Sequence, residues 1–294
     1  MIHRERFAPA KVNLYLHVGP LSDDGYHPLQ SLMVFADVGD HIQLRAAEAM
    51  SFVVAGTFGD DLRGQGENLV TRARDQFLAA CSEDTAPFCL TLRKDLPLAA
   101  GLGGGSSDAA ATLRLVNQAF GSPVDEATLN EIALNLGSDT PACLRARAVL
   151  ASGRGEVLAP PPAFATLDVV LVNPGLPCPT GAVYRAFDDN GAPGGCDLVI
   201  WPKSVATQTG FVDFLGDCRN DLEGPAITVQ PEIRTVLHSL ADRPQSLLTR
   251  MSGSGATCFA LCPDAASAHR LAADIAGDHP TWWVKPCRLG GSAN

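Results

Sequence analysis

The sequence is poor in aromatic residues, at 6%, and short of positive charge, with 22 Lys and Arg against 32 Asp and Glu. A net charge of −10 excludes bulk attraction to nucleic acid or to an anionic membrane, since both need a basic stripe. Long apolar runs are lacking too. Nowhere do about 18 apolar residues follow one another, so no membrane-spanning helix is expected. Met1 to Pro9 carries charges with no apolar stretch behind them, which predicts no secretory signal. Nine cysteines are present, but they are scattered singly with no CxxC pair. That spacing fits neither a zinc site nor a disulfide framework. Reduced thiols in a cytoplasmic protein are the expectation.

What is present is an ordinary globular balance: 46% hydrophobic and 18% charged residues over 294 positions, enough for one large or two moderate domains. Ala10–Val18 alternates with period two, placing Val12, Leu14, Leu16 and Val18 on one face and Lys11, Asn13, Tyr15 and His17 on the other. Further strands are predicted at Met33–Ala36, His41–Arg45, Phe88–Arg93, Leu167–Val172, Thr257–Leu261 and Trp282–Cys287. Helices are predicted at Leu69–Cys81, Ser106–Phe120, Glu126–Leu136, Pro231–Leu240 and Ala265–Ile275. Asn190–Gly195 reads as a surface loop. Strands and helices mix without regular βαβ alternation, so an α+β fold is expected. The proline-rich stretch Ala159–Pro162 suggests two domains, 1–158 and 159–294.

Between Phe88–Arg93 and the helix near Ser106 runs Pro97-Leu98-Ala99-Ala100-Gly101-Leu102-Gly103-Gly104-Gly105-Ser106-Ser107. Glycines reach positive φ and carry no side chain, so several N–H groups can face one concavity. A helix start adds unpaired N–H groups and a positive dipole end. Together they can cradle phosphate without any net positive charge on the chain. The plainer reading is a turning loop with Ser106 or Ser107 as a helix N-cap. A P-loop is excluded because no GK[ST] ends the run. A dinucleotide fingerprint is excluded because Ser106 stands where its last small residue belongs, which disfavours a nicotinamide-dependent oxidoreductase.

Three separated segments coincide in order and spacing with one superfamily. Pro9-Ala10-Lys11-Val12-Asn13-Leu14, Pro97–Ser107 and Met251-Ser252-Gly253-Ser254-Gly255-Ala256 resemble the three motifs of the galactokinase, homoserine kinase, mevalonate kinase and phosphomevalonate kinase (GHMP kinase) superfamily. The likeness spans nearly the whole chain. Asp24-Gly25-Tyr26-His27, the triple glycine, Leu136–Pro141, Asn173-Pro174-Gly175, Thr180-Gly181-x-x-Tyr184 and Asn220–Glu223 resemble the branch whose substrate carries a cytidine diphosphate. One departure is Ala99-Ala100, where glycine is frequent. Alanine fits there with negative φ.

The resemblance implies a two-domain α+β fold whose first domain resembles a ribosomal-protein domain with a left-handed βαβ unit. It implies transfer of phosphate from ATP, with Mg²⁺, to an alcohol of a small cytidine-diphosphate-linked substrate in the non-mevalonate isoprenoid route. Asp139 becomes the general base, although Ser138-Asp139-Thr140-Pro141 by itself reads as a helix cap. Lys11, locally a solvated strand lysine, becomes a catalytic cation beside that base. Asn68, Lys94, Pro97, Gly101, Leu102, Gly103, Gly104, Gly105, Ser106 and Ser107 fall on the nucleotide side, with Ser107 a candidate Mg²⁺ ligand; Lys94 taken alone reads as an exposed strand-end lysine. Asn13, Tyr26, His27, Asp139 and Tyr184 fall on the substrate side, Tyr26 and Tyr184 stacking on the base and His27 bonding to its edge. Gly253–Gly255 either closes on the substrate diphosphate or supports the first loop, with a plain turn as the competing reading. The alternatives are a kinase acting on homoserine, mevalonate or a sugar, which offer no base to stack, and a non-catalytic relative, which would be expected to lose Lys11 or Asp139. No nucleic acid or membrane partner is expected, and a monomer or weak homodimer is.

Overall fold

The computed structural model describes residues 3–23, 25–62, 68–81, 85–191, 199–201, 205 and 207–290. The chain opens with strands His3–Val18 (β1), Leu29–Ala46 (β2) and Ser51–Ala55 (β3), followed by helices Gly59–Leu62 (α1) and Leu69–Ala80 (α2). Strand Phe88–Arg93 (β4) leads into helices Gly104–Ala119 (α3), Glu126–Leu136 (α4) and Thr140–Arg145 (α5). Strands Val149–Gly153 (β5), Val157–Ala159 (β6) and Leu167–Asn173 (β7) come next. Helices Thr180–Asp189 (α6), Gln208–Asp217 (α7), Glu223–Val229 (α8) and Glu232–Ala241 (α9) follow. Strands Leu248–Met251 (β8) and Cys258–Cys262 (β9), helix Ala265–Asp278 (α10) and strand Trp283–Leu289 (β10) complete the fold.

These elements form two compact units. The first takes the described residues of Met1–Ala10, Gly39–Leu98 and Gly103–Ala146; the second takes those of Lys11–Val38, Ala99–Leu102 and Arg147–Asn294. The long strands β1 and β2 each give one half to either unit, and Ala99–Leu102 returns briefly to the second. Pairing distant chain segments in one sheet produces this interleaving, and no local signal announces it.

In the first unit the second half of β2 pairs antiparallel with β4, from His41 opposite Arg93 to Ala46 opposite Phe88. β3 runs parallel to β4. Helices α2, α3, α4 and α5 pack on one another through Val70, Ala73, Phe77, Leu113, Val116, Leu129 and Ile132, all buried. α3 is buried on nearly every side, so it is an internal helix and not the amphipathic surface helix its spacing suggests.

In the second unit β5 pairs antiparallel with the start of β2 and with β6. β10, β7, β9 and β8 are antiparallel neighbours in that order. Leu167–Asn173 is apolar almost throughout because nearly every position of β7 is buried, the pattern of a strand covered on both faces. Its cover includes α10, and α9 packs on β8 and β9. The core joins Val170, Val172, Ile233, Val236, Leu271 and Ile275.

The structure revises several boundaries. β1 begins at His3, and from Ala8 to Val18 both of its faces are buried, so the alternation of Lys11, Asn13, Tyr15 and His17 does not mark a solvated face. Met33–Ala36 and His41–Arg45 belong to one strand, β2. The loop expected at Asn190–Gly195 falls in part outside the described residues, as do Asp24 and Cys196.

Candidate active site

The glycine run turns through left-handed backbone. Gly101 and Gly103 have φ of +73° and +60°, and Ala99 has +48°. The negative φ under which alanine would fit is therefore not found at Ala99. An L side chain in this region crowds the following carbonyl and costs roughly 1–2 kcal/mol, which explains why glycine suits this position. Helix α3 starts at Gly104, two residues before the expected Ser106, with Gly103 as N-cap and no side-chain cap bond. The N-cap reading of Ser106 and Ser107 therefore fails. The first ladder bond runs from Ser107 N to Gly103 O at 2.8 Å, so the N–H groups of Gly104, Gly105 and Ser106 have no acceptor within the helix. Ser107 is buried, and its hydroxyl donates to Pro9 O at 2.7 Å. Ser106 is the partly exposed serine of the pair.

Lys94 corrects another expectation. It is buried at 2% exposure, where an exposed strand-end lysine was the local reading. Its Nζ donates to Asp40 Oδ2 at 2.6 Å and to Asp108 Oδ2 at 2.7 Å. Burial alone would lower the Lys94 pKa, but the two carboxylates outweigh it and the net shift is upward. Burial pushes the Asp108 carboxyl up to about 7, opposed by Lys94 and reinforced by Asp40. Asn68 is the N-cap of α2. Its Oδ1 accepts from Val70 N and Thr71 N in a capping box closed by Thr71 Oγ1.

Asp139 stands at the N-cap position of α5, yet its side chain makes no cap bond. The local signature thus located the helix start correctly and misassigned the carboxylate, which lies half-buried at the head of α5. Pro141 in the first turn needs no N–H partner and favours the start.

In the second unit Lys11 and Asn13 are both buried, and Lys11 Nζ donates to Asn13 Oδ1 at 2.6 Å. Asn13 Nδ2 donates to Ser31 Oγ at 2.7 Å, and Ser31 Oγ donates to Tyr15 O at 2.6 Å. Asn13 N donates to Ser252 Oγ, and that hydroxyl donates to Gly101 O at 3.0 Å. The two glycine loops meet backbone to backbone here. A Cβ on Gly101 would lie 2.3 Å from Ser252 O, and one on Gly253 would lie 3.1 Å from Gly101 O. Of the readings open for Gly253–Gly255, the contacts favour support of the first loop.

Arg250 escaped the sequence reading, and Asn220 and Glu223, noted there only as part of a family motif, turn out to support the second glycine loop. Buried Arg250 donates to Leu14 O, Leu215 O and Cys218 O. Burial lowers its pKa, opposed by Cys218 and Glu223. Asn220 Nδ2 donates to Met251 O and Gly253 O, both at 2.8 Å, and Glu223 accepts from Met251 N. No spacing links these residues; only the fold brings positions some 30 apart in the chain onto one loop.

Tyr26, His27 and Tyr184 lie on one side of the second unit. The His27 ring is 5.1 Å from Tyr184 and 5.6 Å from Phe187, centroid to centroid. His27 Nδ1 faces Gly19 O at 2.9 Å and Nε2 faces Asp188 at 3.4 Å. Both ring nitrogens therefore have protein partners, which modifies the expected contact with a base edge. Tyr26 is exposed, with the Arg154 guanidinium 4.3 Å over its ring. Thr180, at the start of the helix carrying Tyr184, shares a 2.8 Å hydrogen bond with Ser254 of the second glycine loop.

A glycine-rich turn leading into a helix start, on an α+β two-unit fold, fits a class of small-molecule kinase, and comparison with known proteins agrees. The GHMP kinases N terminal domain matches residues 68–147 and the GHMP kinases C terminal domain matches residues 213–279. The chain is 50% identical over 284 residues to a 4-diphosphocytidyl-2-C-methyl-D-erythritol kinase of Caulobacter vibrioides (strain NA1000 / CB15N), covering 96% of this chain and 98% of the relative. A second, from Rhizobium meliloti (strain 1021), is 43% identical, covering 97% and 95%. A crystal structure of 4-(cytidine 5'-diphospho)-2C-methyl-D-erythritol kinase superposes with a TM-score of 0.77 at 32% identity, over 98% of this chain and all of that one. The chain belongs to the family of 4-diphosphocytidyl-2-C-methyl-D-erythritol kinases. An L. major mevalonate kinase shares the fold, with a TM-score of 0.72 at 14% identity. Among the described residues, no helix is long and apolar enough to cross a membrane.

Proposed function

We propose that the chain transfers the γ-phosphate of ATP to the 2-hydroxyl of 4-diphosphocytidyl-2-C-methyl-D-erythritol, in the non-mevalonate isoprenoid pathway. The observation that carries this reading is half-identity over nearly the full length to kinases named for that substrate. The N–H groups of Gly104, Gly105 and Ser106, with Gly101, Leu102, Gly103 and Pro97 shaping the approach, hold the phosphates of the nucleotide. ATP supplies the transferred phosphoryl group. Its γ-phosphorus–oxygen bond breaks, a bond to the acceptor oxygen forms, and ADP leaves.

Asp139 takes the proton of the acceptor hydroxyl as that bond forms. Because the transition state of phosphoryl transfer is loose, alignment matters more than early deprotonation. Lys11, held by Asn13, neutralises charge on the transferring group. Tyr26 and Tyr184 offer faces for the cytosine, and His27 packs on Tyr184 behind them. Asn68 and Lys94 remain on the nucleotide side. Mg²⁺ bound with ATP would supply neutralisation of charge on the phosphates. Ser107 is buried and its hydroxyl is committed to Pro9 O, and no described cluster of three His, Cys, Asp or Glu could hold an ion. The described cysteines are all free thiols, in keeping with a cytoplasmic enzyme.

The test is ATP-dependent phosphorylation of 4-diphosphocytidyl-2-C-methyl-D-erythritol beside homoserine, mevalonate and galactose, for wild type and Asp139→Asn. Turnover of the cytidyl substrate alone is expected, with kcat lowered ~10²–10⁴-fold in the variant. Turnover of another acceptor would discard the roles given to Tyr26 and Tyr184.

A further inference from the structure

Three ionisable groups in the first unit are almost wholly buried: Asp40 at 0%, Lys94 at 2% and Asp108 at 2% exposure. One ammonium lies between two carboxylates, 2.6 Å from Asp40 Oδ2 and 2.7 Å from Asp108 Oδ2. The second oxygen of Asp40 accepts from Asp95 N at 2.6 Å and from Leu96 N at 2.8 Å. The second oxygen of Asp108 is buried with no hydrogen-bond partner among the described residues. Taking such charges out of water is expensive, and apolar side chains of the same volume often serve stability as well or better. An arrangement with one orphaned oxygen is therefore poorly explained by stability.

Its placement offers another explanation. Asp40 lies on β2, Lys94 follows β4, and Asp108 lies on the second turn of α3. Asp40 fixes the backbone of Asp95 and Leu96, where the chain leaves β4. Lys94 Nζ also lies against the backbone of Gly104, the first residue of α3: a Cβ there would come within 2.9 Å of the ammonium. One cluster thus sets both the exit of β4 and the first two turns of α3.

We infer that Asp40, Lys94 and Asp108 are positioning residues for the nucleotide, fixing the start of α3 so that its N–H groups face the phosphates in one geometry. The inference rests on the kinase reading above and assigns Lys94 an action through the backbone, with both of its carboxylate partners on the protein. A bidentate charge cluster suits this task because it has few alternative arrangements, whereas apolar contacts slide. Misplacing binding groups by about an ångström is enough to lose on the order of a hundredfold.

The experiment titrates ATP calorimetrically, without acceptor, into wild type, Asp40→Asn, Asp108→Asn, the double variant and Lys94→Met, each well below its own melting temperature. In Asp108→Asn the amide oxygen still accepts from Lys94 while the NH2 takes the place of the unpartnered oxygen, so that variant stays informative even where Asp40→Asn, whose NH2 would face Lys94 or the N–H groups of Asp95 and Leu96, or Lys94→Met fails to fold. ATP affinity is expected to fall on the order of tenfold to a hundredfold in each Asn variant. The double variant should lose much less than the sum, and the KM for the cytidyl substrate should stay within about twofold. Wild-type affinity in folded Asn variants, with only the melting temperature lowered, would reduce the cluster to a structural role and overturn the inference. So would loss of ATP binding in Lys94→Met alone, which would make Lys94 a direct ligand. Either result alongside wild-type turnover would leave the kinase reading standing; a wild type that binds no ATP would remove both.

Discussion

Replacing Gly101 by alanine should damage this protein far more than a single methyl group suggests. Gly101 has φ of +73°, where an L residue costs roughly 1–2 kcal/mol. The added Cβ would also lie 2.3 Å from Ser252 O, 2.9 Å from Gly255 N and 3.0 Å from Gly255 O. These are backbone atoms of the second glycine loop, so no rotamer change relieves them. That loop is itself tied down by Asn220 at Met251 O and Gly253 O. Forcing packed backbone apart adds about 1–3 kcal/mol, for a total of about 2–5 kcal/mol. Urea unfolding of wild type and Gly101→Ala measures it. Ala99→Gly is the opposite control: φ is +48° and the residue is exposed, so relief of about 1–2 kcal/mol is offset by about 0.5–1 kcal/mol of added chain entropy. The net should be neutral to stabilising. A loss below about 0.5 kcal/mol for Gly101→Ala, the level of an ordinary surface change, would refute the claim that the two loops are locked backbone to backbone.

The contribution of Asp108 to stability should fall as pH rises from about 4 through 7. The Asp108 carboxyl is raised from 3.8 to about 7 in the folded chain by burial, so across that window the native state holds a proton that the unfolded state has released. Asp108→Asn should flatten the slope, read from urea midpoints between pH 5 and 8; an unchanged slope would mean that Asp108 is not the titrating group. Among the described cysteines, Cys81 and Cys89 are half-buried and the rest buried, and burial pushes Cys218 up to about 11 and Cys262 up to about 12. Native alkylation at neutral pH followed by peptide mapping should therefore label Cys81 and Cys89 and spare Cys178, Cys218, Cys258, Cys262 and Cys287. Asn68→Ala should cost about 1 kcal/mol through loss of the α2 cap, seen in thermal unfolding. If it left stability unchanged while ATP binding fell, a contact role would replace the capping role.

The glycine loop was legible in the sequence because its cause is local. Only glycine reaches positive φ at little cost, so a run of glycines before a helix is written directly in residue types. The same holds for β4 and α4, whose predicted bounds, Phe88–Arg93 and Glu126–Leu136, are the observed ones. Each is short, periodic and ended by its own neighbours. At Asp139 the local sequence reads first as a cap, and the base proposed for it rests on the superfamily likeness.

Other features were decided by tertiary structure. Ala99 was expected at negative φ, but closure of its loop places it at positive φ. Lys94 looked like a strand-end lysine, and two aspartates distant in the chain, Asp40 in particular, turn it inward. The two units interleave because β1 and β2 each serve both, a pairing between remote segments that no window of sequence contains. Where an element is governed by energies within a few residues, as at β4, α4 and the glycine-rich turn, the sequence alone determined it. Burial, ion pairing and domain membership depend on which distant segments come together, and those only the folded chain decided.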